Sequence, residues 1–338
     1  MSKTMSTRRR GAMLAVCLTV ALGALALGQE GTITLLSGGE KITLLHHSVV
    51  PSGSAAGLDA LAQHVATLEA DHARVLLLYP GGAASGTAPA KVVEALNRAG
   101  HVASGLGAYE LSQSPAAFAR AAAGARFPYV AANLSNLPAE LGAAQDGPAV
   151  TTVGEVADFG GQLVQGVLFS DPALSTCVFG LVDPAFQGHA ALLGEAGAVG
   201  DPAEAAEAMV VACEDAGADL IVALIYLTGD TRWDARIKGA VPGVDVFVVG
   251  GTGERFDPEQ NPAAHLVQTS KGLSLSVQTD LGPMSLGQLD LTVSSKRIFE
   301  FGYRQMLLGG GGAPSLVWLV ALGLALLAAG WWALGRGM

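Results

Sequence analysis

Positive charge is what this chain has least of. Lys and Arg number 19 in 338 residues against 29 Asp and Glu, a formal net charge of −10. The body of the chain gathers no Lys/Arg stripe, and a polyanion such as nucleic acid requires one. Nucleic-acid partners are therefore excluded. Cysteine is equally scarce. Cys17, Cys177 and Cys213 cannot build the disulfide framework of a small secreted scaffold, and no Cys-x-x-Cys-His haem attachment occurs. A phosphate-cradling loop is also missing: Gly81 and Gly86 stand at the right separation, but Thr87 follows where that loop needs lysine. Charged residues make up only 14% of the chain against 50% hydrophobic, so core material is ample and the apolar surplus needs a location.

Two locations supply it. Residues 1–28 carry Arg8-Arg9-Arg10 and then an apolar run over 12–27, and Ala26-Leu27-Gly28 offers small residues for cleavage before Gln29. This reads as a secretory signal or, uncleaved, an amino-terminal anchor. At the other end, residues 316–334 are uncharged and long enough to cross a bilayer core of about 30 Å as a helix. Trp318 and Trp331-Trp332 stand near its two ends and Arg336 follows, as interface aromatics and a cytoplasmic stop do. Gly309-Gly310-Gly311-Gly312-Ala313-Pro314 reads as a flexible tether. The predicted organisation is a signal or anchor over 1–28, an extracytoplasmic domain over 29–308, a tether over 309–314 and a transmembrane helix over 315–335. The main domain is expected on the periplasmic or extracellular side, with the membrane as one partner. Cys177 falls in an apolar strand and Cys213 on an apolar helix face. Free buried thiols and, in an oxidising compartment, a bridge are both open.

Between these ends, strands and helices alternate. Leu58, Leu61, Ala62, Val65 and Leu68 recur at helical spacing, which predicts an amphipathic helix over 54–70. Further helices are predicted over 91–99 and around 115–123. Asp201, with Glu204 three residues on, starts a helix whose apolar face is Met209, Val210 and Cys213 and which Gly217 closes. Strands are predicted at 42–45, 75–78, 129–132 and 176–182. The β-branched runs at 220–225 and 244–249 are of the kind buried on both faces. Three antiparallel strands follow at 265–269, 273–278 and 286–293. Residues 133–162, rich in Gly, Pro and Ala, read as loop. The pattern predicts an α/β fold of two sheets packed face to face with helices outside.

The segment Lys41-Ile42-Thr43-Leu44-Leu45-His46-His47-Ser48-Val49-Val50-Pro51-Ser52 hands a strand to a loop, the usual place for a site in an α/β domain. It resembles the opening strand of the calcineurin-like metallophosphoesterases, in particular the amino-terminal domain of the 5′-nucleotidase group, which reads Ile-Thr-Ile-Leu-His-Thr-Asn-Asp-Val-His-Gly. Further landmarks follow in the family's order: Val75-Leu76-Leu77-Leu78, Phe127-Pro128-Tyr129-Val130-Ala131-Ala132-Asn133-Leu134, Phe179-Gly180-Leu181, Asp201-Pro202-Ala203-Glu204, Gly217-Ala218-Asp219-Leu220-Ile221-Val222-Ala223-Leu224 and Gln288-Leu289-Asp290-Leu291. The resemblance runs from about residue 31 to 298. It implies a four-layer α-β-β-α sandwich, with the tether and membrane helix standing where the family has a separate substrate domain.

Site residues are where the resemblance stops. The Asp and second His of the family's opening motif are metal ligands, and Val49 and Pro51 stand in their places. Gly82 takes the place of the metal-bridging Asp. Ala108 and Tyr109 replace an Asn-His pair, and Ser112 the acidic partner of that His. Tyr226 replaces the next His, and Thr252 and Glu254 the final His-x-His, or Gly251 and Gly253 if the alignment slips by one. Two-metal hydrolysis needs carboxylate and imidazole donors for hard divalent ions, and these side chains supply almost none. The resemblance thus implies an inactive member that uses no metal and no cofactor. Such a protein would act as a binding or accessory subunit of a membrane or periplasmic complex, docking protein partners on the old active-site face or its flanking loops. Tyr109 and Tyr226 are expected to lean into the vacated space near Val49, Pro51 and Gly82. The rivals are a working phosphoesterase, nucleotidase or thiosulfohydrolase-like hydrolase, with Glu254, Tyr109 and Tyr226 as a new acid/base set, and a nucleotide-sensing module without turnover. Gly250-Gly251-Thr252-Gly253 reads as a strand-end turn or a nucleotide cradle. His46 and His47, adjacent on a strand, point to opposite faces and do not share an ion.

Overall fold

The computed structural model of the chain describes residues 39–47, 55–71, 74–82, 88–141, 150–153, 161–226, 241–250, 264–269, 272–278, 285–307 and 319–320. Alternation along β1 (Glu40–His47) sets up the layers: Ile42 and Leu44 enter one buried cluster and Leu45 another. The sheet around β1 has the order β17-β16-β15-β1-β2-β3-β4-β7. Here β2 is Arg74–Tyr79, β3 His101–Ser104, β4 Tyr129–Val130, β7 Leu163–Val164, β15 Ser285–Ser294, β16 Arg297–Leu307 and β17 Leu319–Val320. From β1 to β7 the pairing is parallel, whereas β15 joins β1 antiparallel. The second sheet has the order β13-β14-β12-β11-β9-β8-β6. Its strands are β6 Val150–Val153, β8 Gly166–Phe169, β9 Thr176–Val182, β11 Leu220–Tyr226, β12 Val246–Gly250, β13 Ala264–Thr269 and β14 Gly272–Gln278. A small ladder pairs β5 (Leu134–Ser135) with β10 (Ala198–Val199).

The two sheets face each other across one apolar layer, in which Ile42, Leu44, Leu76 and Leu78 meet Val178, Val222, Leu224, Val246 and Leu275. Helices cover the outer faces. Leu61 and Val65 of α1 (Ala55–Ala70) pack on Leu45 and Leu77. Val92, Val93 and Leu96 of α2 (Pro89–Ala99) and Phe118 of α4 (Pro115–Ala122) pack with Tyr79 and Phe127. On the second sheet, Ala206, Met209 and Val210 of α5 (Pro202–Asp215) cover Phe179, Ile221, Ile225 and Phe247. The short α3 (Ala108–Leu111) follows β3. The result is α-β-β-α. Strands β9 and β11 have the continuous apolar runs they need, because alternate residues enter the inter-sheet layer and the α5 layer.

Local chemistry accounts for the helix ends. The Asp201 carboxylate accepts from Ala203 N at 2.8 Å and Glu204 N at 3.4 Å, and Gly217 leaves the helix at φ +88°, a left-handed conformation that glycine adopts freely. Cys177 of β9 and Cys213 of α5 form a disulfide that fastens the helix to its sheet, so of the two open readings the bridge is the one observed.

Two stretches differ from the sequence reading. Within 133–162, read as loop, lie β5, a 3-10 turn at Ala139–Leu141 and the edge strand β6. Their two to four residues pair only with distant β10 and β8, so no local pattern marks them. Strand β16 was not expected either. Its Arg, Glu and Gln sit among Phe301 and Tyr303, which reach the inter-sheet core. Of the predicted membrane segment over 315–335 only Leu319–Val320 are described, and they pair with Tyr303 and Gly302. Among the described residues no helix is long and apolar enough to cross a membrane. The predicted signal over 1–28 and tether over 309–314 lie outside the described residues.

Candidate functional site

The carboxyl ends of β2, β3, β11 and β12 come together, and the sequence-predicted positions Gly82, Ala108 and Tyr226 meet there. The two loops after β2 and β3 touch through their backbones. A methyl group on Gly81 would stand 2.7 Å from the Leu106 carbonyl carbon, and one on Gly107 would stand 2.6 Å from Gly82 Cα. Gly81 and Gly82 also adopt φ +104° and +91°, a region that side chains disfavour. Only glycine permits this approach.

Tyr226, the last residue of β11, lays its ring on Gly82. A methyl group on Gly82 would collide with that ring and stand 2.8 Å from both Cζ and the hydroxyl oxygen. Burial raises the Tyr226 pKa, the Glu110 carboxylate adds to the rise, and a backbone hydrogen bond from Ala108 opposes it. Phe186 packs against the same ring at 5.7 Å between centroids. Tyr109 is half-buried at the rim, against the α2–α4 layer, and the exposed Ser112 hydroxyl donates to the Tyr109 carbonyl at 2.8 Å. Tyr226 therefore occupies this space and Tyr109 borders it. Val49, Pro51, Thr252 and Glu254 lie outside the described residues, as do Gly251, Gly253, Gly86 and Thr87.

Glu110 was not singled out from the sequence, yet it organises the site. It is buried, and its Oε2 accepts from Gly82 N at 3.0 Å and Gly107 N at 2.9 Å, joining the two loops. A glutamate reaching back three residues to the amide before a helix is half of a capping box, which was the available signal in Gly107-Ala108-Tyr109-Glu110. The bond to Gly82, 28 residues away in sequence, had no signal. Burial, and after it the Glu110 charge, raises the pKa values of Tyr79, Tyr109 and Tyr129.

His46 and His47 face opposite sides of the sheet. His47 stacks on Tyr79 at 5.0 Å, and its Nε2 lies 2.6 Å from Nε2 of His101. His101 Nδ1 donates to the Leu96 carbonyl at 2.9 Å, which leaves its Nε2 to accept from His47. Burial, and then the neighbouring His47, holds the His101 pKa well below the usual imidazole range. His46 is pushed down to about 3 by the same two causes.

These residues do not fit a two-metal centre. Among the described residues no three His, Cys, Asp or Glu side chains converge as ligands would. Glycine, alanine, serine and tyrosine are poor donors for a pair of hard divalent ions, and position 82 has no room for a bridging carboxylate.

No protein-family model matches the chain, and no curated protein sequence matches it. Solved structures do. The chain is similar to a 5′-nucleotidase precursor from Thermus thermophilus at 21% identity and TM-score 0.62, covering 79% of this chain and 54% of that one. It is similar to the calcineurin-like phosphoesterase YfkN from Bacillus subtilis at 16% identity and TM-score 0.61, covering 81% and 93%. A sulfate thiohydrolase from Thermus thermophilus matches at 17% identity and TM-score 0.59, covering 78% and 44%. The chain has the metallophosphoesterase fold found in the 5′-nucleotidases, and spans about half the length of the 5′-nucleotidase precursor.

Proposed function

We propose that the protein is a metallophosphoesterase-like binding module without phosphoesterase activity, exported, held to the membrane by residues 315–335, and serving as an accessory subunit of a membrane or periplasmic complex. The observation that carries this reading is at position 82. The metal-bridging carboxylate of the fold would have to grow from a backbone with φ +91°, into a ring already lying there. Glu110 supports it, because the two ligand-bearing loops are joined by a carboxylate and two amides where the fold otherwise uses cations. The Cys177–Cys213 disulfide supports the exported location, since such bonds persist in oxidising compartments.

The test uses the full-length protein purified from its native membrane in mild detergent. Elemental analysis should find no stoichiometric Mn, Fe, Zn, Mg or Ca. AMP and nitrophenyl phosphate should not turn over with added divalent ions, and a defined protein partner should co-purify. Near two metals per chain together with turnover would overturn the reading in favour of a working hydrolase.

A further inference from the structure

The inner face of the larger sheet carries a row of side chains that the position-82 site does not use. Register places Gln305 opposite Gly287 and Gly287 opposite His46, across β16, β15 and β1. Paired residues share a face, and Tyr303 and Leu44, two residues earlier on their strands, belong to the inter-sheet core. Gly287 puts no side chain between its neighbours. A methyl group there would collide with His46 Nε2 and stand 2.6 Å from the Tyr303 hydroxyl oxygen. His46 is fully buried and neither ring nitrogen has a hydrogen-bond partner; the buried Gln305 Nε2 has none either. Tyr303 donates its hydroxyl proton to the Gln278 carbonyl of the opposite sheet at 2.9 Å, so its oxygen is left as an acceptor.

Unpaired buried nitrogens are costly, and native interiors keep few of them. Three in one cross-strand row mark a place shaped for hydrogen-bonding groups. Burial keeps His46 neutral, with its pKa near 3, and the amide of Gln305 carries no charge. Neither an anion nor a dication is matched by this set. A neutral imidazole offers one donor and one acceptor, the amide nitrogen offers donors, and Tyr303 offers an acceptor. A hydroxyl group, donor and acceptor at once, is the complement, and two neighbouring hydroxyls would satisfy the row. Gln305 is only partly buried as a residue, which gives the row an edge toward solvent. We propose that His46, Tyr303 and Gln305 form a subsite between the sheets for a neutral polyhydroxylated ligand.

The full-length protein in detergent, with its histidines labelled with nitrogen-15, would be titrated with millimolar glucose and glycerol, and with inorganic phosphate as the ionic control. The expected result is a saturable rise in the thermal midpoint with at least one polyol and none with phosphate. The His46 ring nitrogens should move to hydrogen-bonded chemical shifts at the same concentrations. Gln305→Met, which removes the amide and keeps the length, should abolish or strongly weaken the midpoint response; the wild-type nitrogen shifts test the subsite even if that variant does not fold. His46 nitrogens already at hydrogen-bonded values before titration would mean solvent water alone and overturn the proposal. A non-saturating midpoint rise shared with Gln305→Met, or a response to phosphate only, would overturn it too.

Discussion

Gly82→Ala adds one methyl group where Tyr226 already lies, and its cost separates into parts. The left-handed backbone at φ +91° costs an alanine roughly 1–2 kcal/mol. The methyl also collides with the Tyr226 ring, which must leave. Expelling a large apolar side chain forfeits about 1.5–3 kcal/mol when it is fully enclosed; Tyr226 is only partly buried, so about 1–2 kcal/mol applies. The lost hydrogen bond from Ala108 adds about 1 kcal/mol. The sum is about 3–5 kcal/mol. Full enclosure would put Tyr226→Ala at about 3–5 kcal/mol, and partial exposure lowers that to about 2–3 kcal/mol. In the double variant no ring is left to expel, and Gly82→Ala should then cost only its backbone share. Urea unfolding of the full-length protein, followed by far-ultraviolet circular dichroism, gives all four stabilities. The double variant should be more stable than additivity requires by about 2–3 kcal/mol. Additive costs, within about 0.5 kcal/mol, would show that the ring does not occupy the space above Gly82 and would remove the main support for an inactive site.

Replacing Cys177 and Cys213 by alanine together should lower stability by about 4 kcal/mol at 25 °C, the chain-entropy estimate for a 36-residue separation; an unchanged unfolding curve would show that the bond does not form. His46 has a folded pKa near 3 against about 6.5 unfolded, so its neutral form contributes stability above about pH 6.5 that is lost as pH falls towards 3, and His46→Phe should flatten that acid limb. Asp245 behaves oppositely. Burial raises its pKa to about 7, the Ile221 amide at 2.8 Å opposes the rise, and Glu214 adds to it. Its contribution is full below about pH 4 and falls as pH rises to 7, by about 1–2 kcal/mol once its half-exposure is discounted, and Asp245→Asn should remove that slope. Glu110→Ala leaves the Gly82 and Gly107 amides without their carboxylate, so their hydrogen exchange should accelerate at least tenfold, whereas unchanged exchange would mean another group joins the loops.

Most of the layering is legible in sequence because burial on two faces leaves a local mark. The runs in β11 and β12 are apolar throughout, and α5 carries its own cap and its own closing glycine. Landmarks that resemble the metallophosphoesterases mark the fold, and the substitutions at Gly82, Ala108, Tyr109, Ser112 and Tyr226 mark the altered site. Contacts between distant segments leave no such mark. Glu110 acts by meeting Gly82, and His101 by meeting His47, 54 residues earlier. The same holds for Cys177 and Cys213, where spacing permits a bond and only the docking of α5 on β9 decides it. Strand β16 escaped notice because its polar residues belong to the outer face and its aromatic residues to the core, an alternation easily taken for irregular chain.

Charge balance explains why the substitutions occur as a set. A two-metal pocket gathers carboxylates and imidazoles because cations hold them together, and without the cations the carboxylates would repel one another. Removing a single ligand leaves the others in that unfavourable state, so partial loss is less stable than complete loss. At the described positions the side chains are neutral. The carboxylates that remain buried nearby are answered by backbone amides: Glu110 by Gly82 and Gly107, and Asp183 by Ala185 at 2.8 Å. Fixed N–H groups cost nothing to desolvate a second time and cannot dissociate, whereas a metal ion can. The loops at this end of the sheets thus hold their shape without a cation, as a recognition surface requires and as a two-metal catalyst does not.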